Sequence, residues 1–201
     1  MKKKFIIGIT GGFGTGKSTV SKFFKKMGAD IIDADKLAHE AIKPNGGAYK
    51  KVVTLFSASV LKADRTIDRK RLGRVVFGSS RKLAILNSIV HPEVIKKINA
   101  YIGKRKKGIF IIDAPLLIEA GLLNIVDKLI VVTASRKRQI ARCRSKLGLT
   151  ASDINRRIRS QMPLKRKRCL ADFLIDNNGT KRNTERKVKR IWQQIKKLQT
   201  K

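Results

Sequence analysis

The segment Gly11-Gly12-Phe13-Gly14-Thr15-Gly16-Lys17-Ser18 constrains this chain more than any other. It follows an apolar run, Phe5 to Ile9, and opens an amphipathic stretch, Lys17 to Met27. Glycines at those positions let the backbone curl into a concave nest of N–H groups, and a helix starting at Lys17 adds its positive end. The pattern G-x-x-x-x-G-K-[ST] between a strand and a helix is a phosphate-binding loop, or P-loop. Its lysine, Lys17, reaches the β- and γ-phosphates of a nucleotide, and the Ser18 hydroxyl can bind Mg²⁺. Phosphate binding follows from such a loop, and the acceptor of any transferred phosphate does not.

Further short apolar runs occur at Ile31 with Ile32, at Ile109 to Ile112 and at Leu129 to Val132, with a shorter fifth at Phe173 to Ile175. Runs without polar alternation suit parallel strands covered by helices on both faces. Helical patterns at Asp35 to Ile42, Pro92 to Lys106, Arg136 to Leu147 and Thr184 to Leu198 alternate with them, which predicts the α/β class. Two stretches depart from the alternation. From Gly46 to Val90 the pattern is helical with no strand, the mark of an inserted helical lobe. From Arg136 to Arg168 comes a pair of very basic helices, the second opening at Thr150 with Asp153 as a capping box and closed by Pro163. A basic helical hairpin in that place reads as a mobile cover over something anionic. The expected layout is a single domain with a core over about 1–45, 107–135 and 170–201, a substrate lobe over about 46–106 and a lid over about 136–169.

The chain has 201 residues, enough for one full core. It carries 48 Lys plus Arg against 14 Asp plus Glu, a formal charge of +34, yet 42% of its residues are apolar, so wholesale disorder is excluded. The start Met1 to Lys4, followed by Phe5-Ile-Ile, resembles a secretory leader, but glycines and Lys17 interrupt the apolar stretch and no small-residue cleavage site follows. No apolar run approaches the length that spans a bilayer. Cys143 and Cys169 form neither a CxxC pair nor a disulfide framework, and read as small semi-buried side chains in a reducing cytosol. The expectation is a soluble cytoplasmic protein.

Candidate carboxylates stand at strand ends, the edge where parallel sheets bind ligands. Asp33, after Ile31-Ile32, can orient or deprotonate an acceptor hydroxyl or ligate Mg²⁺ through water. Asp35 can do the same or cap the next helix. Asp113, after Ile109-Phe-Ile-Ile112, has the form of a Walker B acid that supports a metal directly or through water, with a structural hydrogen bond as the alternative. His39 and His91 have no Cys or carboxylate at ligand spacing. His39 reads as structural, and His91, beside Pro92, as the start of a helix that bonds the acceptor or a neighbouring loop. Phe5, Phe23, Phe24, Phe56 and Phe77 fall at apolar positions and should be core, and Trp192 should pack the last helix down.

These residues resemble the dephospho-coenzyme A kinase family along nearly the whole chain. The resemblance runs through Gly8-Ile-Thr-Gly-Gly and the P-loop, Asp33-Ala-Asp35 with Ala38-His39, Asp68-Arg-Lys-Arg-Leu72, Val76-Phe77 and His91-Pro92. It continues through Asp113-Ala-Pro-Leu-Leu117 with Glu119, Gln161-Met-Pro163, and Ala171 to Asn177 before Gly179. It implies a P-loop NTPase fold with a five-stranded parallel sheet flanked by helices, a helical lid and a helical coenzyme-A-binding lobe. It also implies ATP-dependent phosphorylation of the ribose 3′-hydroxyl of dephospho-CoA, with Mg²⁺ held by Ser18 and Asp113. Under the resemblance, Asp33, Lys17 and Arg142 are the catalytic set, Arg142 clamping ATP phosphates. Gly11, Gly12, Phe13, Gly14, Thr15, Gly16, Lys17, Ser18, Thr19, Arg142 and Asn177 bind the nucleotide, with Asn177 at the adenine end. Asp33, His91, Leu116 and Leu117 face the acceptor, and Arg157 also fits the pattern. One departure stands out. Where the lid usually carries a second arginine four residues after Arg142, this chain has Lys146, which keeps the charge and loses the planar fork, while Arg144 points elsewhere on a helix.

Two other readings remain open at this level. A P-loop kinase of another nucleotide or small metabolite needs the same loop, acid and lid. A basic RNA-associated NTP-binding protein would use runs such as Lys104 to Lys107 and Lys165 to Arg168 on phosphates. No RNA-binding aromatic signature or zinc motif accompanies those runs, so the expectation is salt-sensitive RNA adhesion without a specific nucleic-acid partner, no membrane partner, and a monomer.

Overall fold

The structure, a computed structural model, describes residues 4–200; the basic start at Met1 to Lys3 and the side chain of Phe77 lie outside the described residues. Five strands form the sheet: β1 (Lys4–Gly11), β2 (Asp30–Asp33), β3 (Gly108–Asp113), β4 (Lys128–Thr133) and β5 (Phe173–Asp176). Their order is β2-β3-β1-β4-β5, and β1 runs parallel to both β3 and β4, as β4 does to β5. All five apolar runs are therefore strands. Register places Ile9 beside Asp113 and Thr133 beside Asp176, so the polar strand ends gather along one edge.

The chain divides into two compact units, one of residues 1–32 with 105–201 and one of residues 33–104. In the first, α1 (Lys17–Lys26) and α9 (Lys181–Thr200) cover one face of the sheet. Alternate residues Phe5, Ile7 and Ile9 of β1, with Ile109, Ile111, Ile130, Val132 and Ile175 of its neighbours, pack there against Val20, Phe23 and Phe24 of α1 and Val188, Ile191 and Ile195 of α9. Each such side chain contributes about 1.5–3 kcal/mol of apolar transfer. Trp192 meets Phe24 edge to face at 6.0 Å, so it does fasten the last helix. On the other strand parity Leu117 is fully buried over Gly8, where an added Cβ would come within 2.7 Å of a Leu117 methyl. A side chain at that point of β1 would have to displace the Leu117 methyl from the core.

The same unit holds α6 (Arg136–Leu147), α7 (Ala151–Arg159) and α8 (Leu164–Cys169). Thr150 caps α7 as its sequence indicates, accepting from the Asp153 N–H at 3.1 Å. Pro163 is not what ends α7, which stops at Arg159 with its C-cap at Ser160. It stands at the N-cap of α8, a third helix in the segment, where its missing N–H costs the helix no hydrogen bond.

The second unit contains α2 (Ala34–Ala41), α3 (Tyr49–Phe56), α4 (Arg69–Phe77) and α5 (Ser80–Gly103). Its core includes Val52, Leu72, Val76, Val90, Val94 and Ile98, and a Glu40–Lys97 ion pair joins α2 to α5 at 3.7 Å. No strand forms among the described residues between α3 and α4, only an isolated antiparallel bridge of Leu61 with Ile67. The helix expected to begin at Pro92 instead begins at Ser80 and runs through the proline. Buried Val90, Val94, Ile98 and Ile102 form one continuous stripe, and their burial outweighs the hydrogen bond that Pro92 removes on its exposed side. His91 consequently lies mid-helix and starts nothing. Among the described residues no helix is long and apolar enough to cross a membrane.

Candidate active site

The P-loop joins β1 to α1 with Gly14 and Gly16 in the left-handed region, at φ 76° and 88°. Gly16 stands at the N-cap of α1, so the first amides of that helix are orphan donors facing the loop. Thr15 closes the turn on itself: its N–H and hydroxyl both reach the Gly12 carbonyl, at 3.2 and 2.8 Å. A cavity of about 300 Å³ is lined by Gly12 to Ser18, with Arg142, Cys143, Lys146 and Gln161 on its other walls. The Lys17 ammonium donates to the Asp113 carboxylate at the tip of β3. Two groups that sequence reading assigns to phosphate and to metal thus meet and neutralise one another.

Arg142 and Asn177 have structural partners of their own. The Arg142 guanidinium donates to the Thr15 carbonyl at 3.0 Å and to the Asn177 carbonyl at 2.7 Å, tying α6 to the loop. Asn177 is buried; its amide donates to the same Thr15 carbonyl at 2.8 Å and its oxygen accepts from the Thr184 hydroxyl at 2.7 Å. Both nevertheless line a second cavity of about 430 Å³, with Gly16, Thr19, Lys22, Lys146 and Lys181. Lys146 borders both cavities, whereas Arg144 is exposed and lines neither. The expected difference between these two basic residues is therefore present.

Phe13 is held at both ends. Its N–H donates to Gln161 Oε1 at 2.8 Å, and the Arg157 guanidinium lies over its ring at 5.4 Å. Arg157, though exposed, thus has a cation–π partner in the loop. Cys143 is buried against Gly14, where an added Cβ would meet its sulfur at 2.6 Å. Burial pushes the Cys143 thiol up, with the Arg157 charge pulling the other way.

At the end of β2, Asp33 is exposed and caps α2, its carboxylate accepting from the Lys36 N–H at 3.0 Å. The cap is Asp33, and Asp35 sits in the first helical turn, because the helix starts one residue earlier than its apolar pattern indicates. His39 is held below its ordinary value, chiefly by burial and next by Arg69, with Asp35 and Asp33 opposing. Burial alone lowers His91. Of the two leucines expected to face the acceptor, Leu116 is exposed at 44%, and Leu117 is fully buried in the core over Gly8. The P-loop, Asp113, Arg142 and Asn177 come together in the first unit, and Asp33 and His91 belong to the second.

A sequence model of the dephospho-CoA kinase family matches residues 5–183. The chain belongs to the dephospho-CoA kinase family. Among curated relatives, the dephospho-CoA kinase of Carboxydothermus hydrogenoformans is 42% identical over 95% of this chain and 94% of its own length. That of Geobacter metallireducens is 39% identical over 94% and 96%. Among solved structures, TT1252 from Thermus thermophilus superposes with a TM-score of 0.85 at 30% identity over 96% of this chain and 98% of that one. The Campylobacter jejuni dephospho-CoA kinase gives 0.60 at 28%, with the same coverage. A shikimate kinase from Acinetobacter baumannii, 13% identical, shares the fold at 0.54.

Residue-by-residue reading does not single out Gln161 or Lys167. Gln161 and Glu119 carry a signal only through the family motifs that contain them. Lys167 sits in the run Lys165 to Arg168, which sequence reading offers only as a possible RNA contact, yet its side chain is fully buried against Glu119.

Proposed function

We propose that this protein transfers the γ-phosphoryl group of ATP to the ribose 3′-hydroxyl of dephospho-CoA, giving CoA and ADP, the closing step of coenzyme A synthesis. The observation that carries the reading is the P-loop lysine, Lys17, held against Asp113 at the tip of β3, in a chain of this family. Phosphoryl transfer demands positioning and charge stabilisation more than covalent help from the protein. The P-loop amides and Lys17 supply that for the β- and γ-phosphates, Lys17 exchanging its carboxylate partner for phosphate oxygens. The acceptor oxygen bonds to the γ-phosphorus as the bond to the ADP oxygen breaks, and Asp33 orients the hydroxyl or takes its proton.

Among the described residues no group of three or more His, Cys, Asp or Glu gathers as a metal cage. A hydroxyl and one carboxylate, Ser18 and Asp113, suit Mg²⁺, which kinases hold through one or two carboxylates and the substrate phosphates. Bound there, Mg²⁺ supplies charge neutralisation across the phosphates. Arg142 and Lys146 add positive charge on the nucleotide side, and Asn177 borders the adenine end. The segment 136–169 acts as the lid, and 46–106 carries the discrimination of the acceptor. The protein works as a cytoplasmic monomer with no specific nucleic-acid partner, and its surplus charge steers anionic substrates at low salt.

The test is ADP release from Mg·ATP with dephospho-CoA, adenosine monophosphate or RNA as the acceptor. Stimulation by dephospho-CoA alone, with CoA identified by mass, is the expected result. Preference for another acceptor, or RNA retention without turnover, overturns the reading.

A further inference from the structure

A lysine–carboxylate pair with its lysine fully buried lies outside the phosphate-handling residues. Lys167 of α8 is fully buried, its ammonium 2.9 Å from Glu119 Oε1 and donating to the Pro115 carbonyl at 2.7 Å. Glu119 Oε1 also accepts from the Met162 N–H at 2.9 Å, and the Pro115 carbonyl from the Thr10 hydroxyl at 2.9 Å. Lysine is almost never buried so completely unless paired. A well-packed apolar side chain of similar volume is often as stabilising as a buried ion pair, so stability alone does not account for this one. What the pair adds is direction. Each of its contacts ends on a segment that continues into the phosphate site. Met162 comes directly after Gln161, which holds the Phe13 N–H. Pro115 lies two residues beyond Asp113, and Asp113 holds Lys17.

We infer that Lys167 and Glu119 are positioning residues for the nucleotide phosphates: they fix the Gln161–Met162 turn that pins the P-loop at Phe13, and the Pro115 carbonyl behind Asp113. Neither touches the reacting atoms. Their effect reaches the nucleotide through Gln161 and Asp113, and it is directed at ATP rather than at the acceptor. Turnover enters only through the kinase reading on which this inference rests, whereas nucleotide affinity is independent of which acceptor is used.

The experiment measures ADP affinity by calorimetry, melting temperature, and kcat with KM for both substrates in Lys167→Met, Lys167→Arg, Glu119→Gln, Gln161→Ala and the Lys167→Met Gln161→Ala pair. Lys167→Met and Glu119→Gln are expected to weaken ADP binding and raise KM for ATP about tenfold, the scale seen when supporting hydrogen bonds of a site are removed. KM for dephospho-CoA should stay within about twofold, and Lys167→Arg should restore most of the loss by remaking the pair. Adding Gln161→Ala to Lys167→Met should cost less than it does in the parent chain, since both act through one turn. Unchanged ADP affinity in Glu119→Gln, or full additivity of the two changes, overturns the inference. So does a fall in melting temperature with both substrates weakened alike. Should Lys167→Met not fold, Glu119→Gln and Gln161→Ala decide it alone. Failure of the dephospho-CoA reading would be seen as absent turnover in the parent chain, with the ADP measurements still able to support or sink the pair's role.

Discussion

At the tip of β3 the carboxylate of Asp113 meets a lysine ammonium, whereas at the tip of β2 that of Asp33 meets one backbone amide of its own helix and is otherwise exposed. The two segments look alike in sequence, an isoleucine-rich run ending in Asp, and the residues after each run separate them. After β2 a helix begins at once, so Asp33 becomes its N-cap and one oxygen is engaged locally. After β3 comes Ala114-Pro115, with no helix to cap, and the neighbouring β1 delivers Lys17 through the P-loop. A charge-balanced acid suits a metal and phosphate site. An exposed acid whose cap bond holds its rotamer suits a hydroxyl.

The largest break in this comparison is expected from Lys17→Ala, which removes the cation that serves both Asp113 and the phosphates. Turnover should fall about 10²–10³-fold, the cost of losing one transition-state stabilising group. Asp33→Asn comes next and sharpens the contrast: about a 10²-fold loss in kcat, KM for ATP unaltered, and an unchanged melting temperature because Asn caps as well as Asp. Parent-like turnover in Asp33→Asn would falsify the assignment of chemistry to the exposed acid. Lys146→Arg should lower KM for ATP by a factor of about two to ten, the worth of one added hydrogen bond, and a sharp rise in that KM would mean that this segment is built around the lysine itself, differently from its relatives.

The smallest effect is a pH dependence confined to the second unit. His39 and His91 both titrate below the ordinary 6.5 when folded, so below that value the unfolded chain binds more protons. Their contribution to stability is complete above 6.5 and declines as pH falls through 6.5 towards the folded values. Thermal melts from pH 7.5 to 5.5 should show this slope in the parent, and the His39→Gln His91→Gln variant should flatten it.

Parallel strands are the most legible part of this fold, since burial on both faces leaves runs such as Ile109 to Ile112 with no polar interruption. The P-loop is equally plain because its glycines and Lys17 are contiguous. Pro92 misleads because a local rule about proline competes with a 24-residue helix whose buried stripe is set by tertiary contacts. Asp33 and Asp35 are ranked wrongly as caps because a one-residue shift in a helix start is below what an apolar pattern resolves. Lys167 is illegible for a different reason. Its partner is 48 residues away, and nothing in Lys165-Arg166-Lys167-Arg168 distinguishes the buried member of the run. The ties of Arg142 and Asn177 to Thr15 likewise span 127 and 162 residues.

Trp192 is the sole tryptophan of the chain, and it stands edge-on to Phe24, on the helix that the P-loop opens. Its near-ultraviolet emission is therefore a native optical reporter of the unit that holds the nucleotide site and carries no signal from an indole in residues 33–104. Melting followed by that emission and by far-ultraviolet dichroism, which sums the helices of both units, yields two curves, and a gap between their midpoints shows that the two units do not unfold together.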